Sequence, residues 1–211
     1  MKKFLAIQIT ALILISGTLG GVLYYTDAYQ EVYSRIVSII CLSCIKLDPV
    51  ISLGFRFDTA NGKDHPEFIK DLLDKGPIFI DFGTDACLYC DYMDPLIKQI
   101  FNVSFEKEDL FNTTINFNGT EITFIHINED WATGEYKDLE SYYDVDGDNA
   151  VPMFTTITLG YHHGFINPFY NTVYGILNKD YSDGQRINLL KNIIQDSIDL
   201  YNENRPGYTH D

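Results

Sequence analysis

The chain has 211 residues, a length that fits one domain of ordinary size with an additional segment. It carries 15 basic and 30 acidic residues, which give a formal net charge of −15 at pH 7. Because nucleic-acid binding requires Lys and Arg to neutralise phosphates, this charge argues against a nucleic-acid partner and against close adhesion to an anionic membrane surface.

The first element is an uncharged stretch from Phe4 to Tyr25, which follows Lys2 and Lys3. It is long enough to cross a bilayer, since about 20 apolar residues span the hydrocarbon core. A cleaved signal peptide is the alternative, although its apolar region usually has ~7–15 residues and ends in small residues. Both interpretations keep the lysines in the cytoplasm and the rest of the chain outside it. We expect residues 1–25 to form a single-pass anchor in the cytoplasmic membrane.

Residues 26–61 are predicted to form a connector with a helix, a first Cys-x-x-Cys pair and a strand. Apolar residues at helical spacing favour a helix up to Lys46, and Val50–Phe57 alternates enough for a strand. Cys41 and Cys44 lie one helical turn apart, so they would form a small structural disulfide or stay as two buried thiols. The more specific hypothesis is a second redox pair that passes electrons from a membrane partner.

The remaining elements predict an α/β domain over residues 62–205 and a tail at residues 206–211. A short helix ends near Gly76, and a strand over Ile78–Phe82 and a helix over Asp91–Ile100 follow. Ser104–Gly119 is polar and suits a hairpin insertion, and Glu121–Asn128 is the next predicted strand. The later elements are a mostly helical crossover, an antiparallel pair of strands and a terminal helix: Trp131–Tyr143, Met153–Gly160 with Phe165–Tyr174, and Asp183–Asn202.

A second Cys-x-x-Cys motif, Cys87-Leu88-Tyr89-Cys90, lies between the Ile78–Phe82 strand and the helix that follows it. This placement puts the first sulfur at a helix N-terminus, where unpaired backbone N–H groups and the helix dipole favour an anion. A thiolate is stabilised there, so Cys87 is the expected nucleophile and Cys90 the expected resolving cysteine. The motif therefore predicts thiol–disulfide exchange.

The surroundings of this motif resemble the thioredoxin superfamily over roughly residues 62–205. Asp81 lies six residues before Cys87, where thioredoxins have a buried carboxylate, and Pro95 matches the proline of their active-site helix. Val151-Pro152 precedes an apolar strand, like the cis-proline that faces the active site in that family. The chain departs from the family pattern at three positions, which hold Ala86 in place of a tryptophan and Leu88-Tyr89 in place of Gly-Pro.

The resemblance implies a thioredoxin-like fold, with a central mixed sheet flanked by helices, and oxidoreductase activity on protein thiols or disulfides without a cofactor. In this interpretation Asp81 relays the proton that Cys90 must lose. Substrate contact would come from the two residues inside the motif and from the proline segment: Leu88, Tyr89, Val151 and Pro152. The alternatives are a structural disulfide, a partly exposed Asp81, a trans Pro152 and, as a function, a non-catalytic binding module that holds partners at its proline face.

Three further patterns are less specific. Two Cys-x-x-Cys pairs can bind zinc, but more than 40 residues separate them here. The histidines have no ligand spacing either, so no metal site is predicted.

Alternating carboxylates at Asp144, Asp146 and Asp148 look like the start of a calcium loop. Thr155 replaces the Glu that such a loop requires, which favours a solvated acidic turn. Three sequons suit either glycosylation of an exposed loop or chance in an Asn- and Thr-rich segment: Asn102, Asn112 and Asn118.

Overall fold

The computed structural model describes residues 54–208 as an α/β domain built on one five-stranded sheet. The helices and strands along the chain are α1 (Glu67–Leu73), β1 (Ile78–Gly83), α2 (Leu88–Phe101), β2 (Phe111–Phe117), β3 (Thr120–Asn128), α3 (Glu140–Tyr143), β4 (Met153–His162), β5 (Phe165–Tyr174) and α4 (Asp183–Asn204). Single 3₁₀ turns occupy Gly134–Tyr136 and Arg205–Gly207. The predicted α/β class is confirmed.

The sheet has the order β2-β3-β1-β4-β5, with β1 at its centre. Strand β1 pairs in parallel with β3 and antiparallel with β4, so the sheet is mixed, as expected. The two outer strands, β2 and β5, pair antiparallel with their neighbours β3 and β4. All six residues of β1 are buried, which is typical of a central strand with both faces covered.

Alternate residues of β1 contribute to two hydrophobic cores, one on each face of the sheet, because side chains along a strand point to opposite faces. One core joins β1 to the long helices α2 and α4: Phe79, Met93, Ile97, Leu190 and Ile194. The other joins β1 to α1 and α3: Ile69, Leu73, Ile78, Ile80, Phe82 and Tyr143. Asp81 and Gly83 share the face of Phe79 and therefore lie toward α2.

Helix α4 begins with a capping box. Ser182 is its N-cap, and the side chains of Ser182 and Gln185 each accept a hydrogen bond from the backbone N–H of the other residue. This capping box satisfies two of the unpaired N–H groups of the first turn and contributes about 1 kcal/mol. The buried aliphatic residues of α4 line the same core as α2, and Tyr201 near its end belongs to the other core.

Two predicted segments have different outcomes. Of the hairpin predicted over Ser104–Gly119, the structure has one strand, β2, which pairs antiparallel with β3 across a turn in which Asn118 and Gly119 have positive φ. The helical crossover predicted over Trp131–Tyr143 is largely wrong, since it contains one 3₁₀ turn and the four-residue α3. Gly134 and Asp138 adopt positive φ in this segment, which interrupts a continuous right-handed helix.

The predicted anchor at residues 1–25 and most of the connector, with Cys41 and Cys44, lie outside the described residues. Of the strand predicted over Val50–Phe57, the described part contains a single bridge between Arg56 and Tyr170. Within residues 54–208, no helix has the length and apolar character needed to cross a membrane. The anchor, the connector and the domain boundaries remain predictions.

Candidate active site

Cys87 and Cys90 form a disulfide at the start of α2. Cys87 is the N-cap residue of this helix, and its sulfur accepts a hydrogen bond from the backbone N–H of Cys90 at 3.0 Å. An N-cap acceptor satisfies one of the unpaired N–H groups of the first turn. The first sulfur therefore lies at the helix N-terminus, as predicted. After reduction, the same N–H group and the helix dipole would stabilise a thiolate on Cys87.

Val151 and Pro152 lie at the C-terminal end of β1, the end that is next to the disulfide. The Val151–Pro152 peptide bond is cis, as the resemblance implies. The antiparallel register pairs Phe82 with Met153, so Pro152 extends β4 beside Gly83. A Cβ atom built on Gly83 would lie only 3.2 Å from the sulfur of Cys90. Gly83 thus brings β1 against Cys90, and the register brings Pro152 to the same end of the strand.

Asp81 is 1% exposed and is paired with a histidine. Its Oδ2 lies 2.9 Å from Nδ1 of His126, the residue opposite it in β3. The second ring nitrogen, Nε2, lies 3.3 Å from the backbone carbonyl oxygen of Lys107. Since a carbonyl oxygen can only accept, Nε2 donates to it, and Nδ1 carries a proton only in the imidazolium form. In that form Nδ1 donates to Oδ2 of Asp81, and the two side chains form a buried ion pair.

The environment of His126 favours its charged form. Burial by itself lowers the pKa of His126, but the hydrogen bond to Asp81 and the charge of that carboxylate outweigh burial and raise the pKa above 6.5. Phe105 stacks on the imidazole, with ring centroids 4.1 Å apart, and fixes its plane. His126 was not predicted as a site residue. Its position opposite Asp81 depends on the register of β1 against β3, which the sequence does not show.

A second buried carboxyl, Asp94, lies on the inner face of α2, one helical turn after Cys90. Its side chain is 5% exposed. Among the described residues, Oδ1 of Asp94 and Oδ1 of Asp81 both lack a hydrogen-bond partner. Burial, and then the charge of Asp81, raise the pKa of Asp94 to about 7. Two carboxyls and one imidazole therefore form a single buried cluster beneath the disulfide, of which the sequence predicted only Asp81.

Lys107 lies in the loop between α2 and β2, and its side chain binds the start of α2. Its Nζ donates to the backbone carbonyl of Cys87 at 3.0 Å and to the carboxylate of Asp91 at 2.8 Å. Its own carbonyl accepts from the side-chain amide of Asn128 at 2.9 Å, in addition to the contact with His126. This arrangement places a positive charge close to Cys87, and a nearby cation favours the thiolate form of a cysteine.

Exposed apolar side chains surround the disulfide. Leu88 and Tyr89, between the two cysteines, are 81% and 59% exposed. Trp131 is 62% exposed, and its indole N–H donates to both carboxylate oxygens of Asp85 at 3.1 Å. We call these three side chains, Leu88, Tyr89 and Trp131, the apolar rim. Exposed apolar patches mark interaction sites more often than chance. Trp131 was not predicted here, because it reaches the motif from a distant loop.

The predicted acidic turn is solvated at two of its three carboxylates, since Asp146 and Asp148 are exposed. Asp144 is buried, contrary to expectation, and its carboxylate accepts hydrogen bonds from the N–H groups of Gly147 and Asn149 and from the Tyr174 hydroxyl. These hydrogen bonds stabilise the turn. Residues 54–208 contain no group of three or more side chains that could hold a metal ion. The sequon asparagines are all exposed, and their glycosylation remains a prediction: Asn102, Asn112 and Asn118.

No protein-family model matches the sequence, and no curated protein matches it either. The assignment of a class therefore depends on the geometry of the described residues. A mixed α/β sheet with Cys87 and Cys90 at disulfide distance is compatible with a thioredoxin-like fold. An oxidised Cys-x-x-Cys pair at the start of a helix is compatible with redox exchange.

Proposed function

We propose that the protein is a thioredoxin-like thiol–disulfide oxidoreductase that acts on extracytoplasmic protein substrates from the outer face of the cytoplasmic membrane. The observation that carries the activity is the Cys87–Cys90 disulfide at the N-terminus of α2, where Cys87 is the N-cap residue. The location is supported by the uncharged stretch Phe4–Tyr25 and the two lysines before it.

In the reducing direction, the Cys87 thiolate attacks one sulfur of a substrate disulfide. A bond forms between Cys87 and that sulfur, and the other substrate sulfur leaves as a thiolate with the electron pair of the broken bond. Cys90 then loses its proton and attacks the Cys87 sulfur. The Cys87–Cys90 disulfide forms again, the second substrate thiolate is released, and two electrons have passed to the substrate. Oxidation of a substrate dithiol is the reverse sequence.

The apolar rim supports a protein substrate rather than a small thiol. Leu88 and Tyr89 present exposed apolar surface between the two cysteines, and Trp131 presents exposed apolar surface next to Asp85, two residues before Cys87. In the resemblance to thioredoxins, the backbone of Val151 pairs with an extended segment of the substrate, and Pro152 lies against the disulfide. A chain that is held by these groups would present its cysteine to Cys87, the sulfur at the helix N-terminus.

The test is reduction of insulin and of glutathione disulfide by the full-length protein, compared with a Cys87→Ser and a Cys90→Ser variant. We expect Cys87→Ser to lose the activity, because it lacks the nucleophile. We expect Cys90→Ser to accumulate mixed disulfides with protein substrates, because they form and are not resolved. Unchanged activity of Cys87→Ser would refute the proposal. A wild-type protein that binds partners without changing their redox state, and a Cys87→Ser variant that binds them equally, would favour the non-catalytic binding module.

A further inference from the structure

We propose that Asp94, rather than Asp81, takes the proton from Cys90 when the resolving cysteine becomes a nucleophile. In this proposal Asp81 and His126 are positioning residues, which form a buried hydrogen-bonded pair and set the charge around Asp94. The inference goes beyond the proposed function and rests on it, because the step it describes is the second half of disulfide exchange.

The placement of the two carboxyls favours Asp94. Residues four apart on a helix have Cβ atoms roughly 5–6 Å from each other on one face, and Cys90 and Asp94 are both buried on the inner face of α2. Gly83 is the residue of β1 that lies against the Cys90 sulfur. Asp81 is two residues back along the strand, so its Cα atom lies roughly 7 Å from that of Gly83. Asp94 therefore follows Cys90 by one turn on the same helix face, whereas Asp81 belongs to a different element and is one strand repeat away from the residue next to Cys90.

The partners of the two carboxyls differ. Asp81 and Asp94 each have a buried Oδ1 without a hydrogen-bond partner in the described part of the chain. Oδ2 of Asp81 is bound to His126, so the charge of Asp81 is compensated by a hydrogen-bonded histidine. Asp94 has no such partner among the described residues, and a buried acceptor without a donor is unfavourable. In the proposed step the S–H group of reduced Cys90 is the donor to Oδ1 of Asp94.

The charges facing Asp94 come from three elements and one loop. Asp81 on β1 raises the pKa of Asp94, whereas His126 on β3, Lys98 on α2 itself and Lys107 in the loop after α2 lower it. Burial is the largest influence, and the balance is a pKa of about 7. A general base is most effective when its pKa lies near the working pH, because it is then often deprotonated and still basic enough to accept a proton.

The proposed step is balanced in protons and electrons. In the mixed disulfide between Cys87 and the substrate, the Cys90 proton moves to Oδ1 of the Asp94 carboxylate. The Cys90 sulfur then attacks the Cys87 sulfur, and the Cys87–Cys90 bond forms. The bond between Cys87 and the substrate breaks, and the substrate sulfur leaves with its electron pair. Asp94 releases the proton to solvent after the disulfide has closed, and no further oxidant or reductant is needed.

The experiment follows the two halves of the reaction separately, with the aromatic disulfide known as Ellman's reagent as the substrate. The full-length chain with Cys41→Ser and Cys44→Ser is reduced, freed of reductant and mixed with this probe, so that only Cys87 and Cys90 react. Attack by Cys87 releases one coloured thiolate, and attack by Cys90 on the mixed disulfide releases the second. Both phases are measured between pH 5 and pH 9 for Asp94→Asn, Asp81→Asn and Asp199→Asn.

We expect the second phase of the unsubstituted protein to accelerate through pH 7. In Asp94→Asn the second phase at pH 7 is expected to slow by about 10²-fold, the lower end of what general bases contribute. Its pH dependence moves up toward that of a free thiol, about pH 8.5. The first phase, which involves Cys87, keeps its rate. Asp199→Asn, which removes the same charge from the exposed face of α4, serves as the control and leaves both phases unchanged.

Loss of the pH 7 step in Asp81→Asn but not in Asp94→Asn would overturn the proposal and assign the base to Asp81. A second measurement does not depend on the variants: ¹³C NMR of labelled aspartate carboxyls in the unsubstituted protein. We expect one carboxyl to titrate near pH 7 and to shift when the disulfide is reduced. The absence of any such carboxyl between pH 6 and pH 8 also overturns the proposal. If the pH 7 step is present but insulin is not reduced, the proposed function fails and the role of Asp94 stands.

Discussion

Replacement of Asp94 by Asn should change how the stability of the oxidised protein depends on pH. The carboxyl has a pKa of about 7 in the folded protein, against an ordinary value of 3.8. Between these two values the folded state binds a proton that the unfolded state does not bind. Stability is therefore lost as the pH rises through this window, and it is fully present only below the lower value.

The size of the effect follows from the two pKa values. Each unit corresponds to about 1.4 kcal/mol, so a difference of about three units corresponds to a loss of about 4 kcal/mol between pH 4 and pH 8. The magnitude is an upper bound, since the cluster can relax and admit water. Asn is nearly the same size as Asp and does not ionise, so the variant lacks this loss. The difference in free energy of unfolding between variant and wild type should therefore grow in favour of Asn as the pH rises.

The assay is urea unfolding of both oxidised proteins, followed at several pH values from 4 to 8.5, with the m-value as a check on two-state behaviour. Any constant effect of the amide cancels, because only the change with pH is interpreted. Asp199→Asn is the control, and its curve should run parallel to that of the wild type. Parallel curves for Asp94→Asn and the wild type would refute the reasoning, since they would mean that Asp94 titrates alike in the folded and unfolded states.

Three further predictions concern the buried pair, the packing at the start of β1 and the apolar rim. His126→Gln should lower the free energy of unfolding by about 3 kcal/mol near neutral pH, because it leaves the buried Asp81 without its charged partner; a loss below about 1 kcal/mol in urea unfolding would contradict the pairing. Gly76→Ala should destabilise by about 3 kcal/mol or more, because its Cβ would lie 2.1 Å from the backbone oxygen of Glu121. Gly184→Ala is the matched control, with no atom within 4 Å of the added Cβ, and should be neutral or stabilising by thermal unfolding. Trp131→Ala should raise KM for insulin by about 10-fold and much less for glutathione disulfide, since a lost aromatic contact is worth about 1–2 kcal/mol; equal changes for both substrates would remove Trp131 from the rim.

Local patterns predicted much of the fold. The apolar run Ile78–Phe82 and the helical spacing after Cys90 were enough to place the Cys-x-x-Cys motif between a strand and a helix, because periodicity is a property of neighbouring residues. The antiparallel pair β4–β5 was predicted from turn residues between two apolar segments. The segment after Trp131 was predicted poorly, since positive φ at Gly134 and Asp138 depends on packing that no window of sequence contains.

The sequence by itself determined which residues could carry redox chemistry: a pair of cysteines at helical spacing, a carboxylate six residues earlier and a proline ahead of an apolar strand. Only the tertiary structure decided what surrounds them. The parallel register of β1 and β3 sets His126 opposite Asp81, and the packing of α2 on the sheet turns Asp94 inward toward the same carboxyl. The physical reason is that the charge state of a buried group depends on its solvent exposure and its nearest charges, and both are set by residues that are distant along the chain.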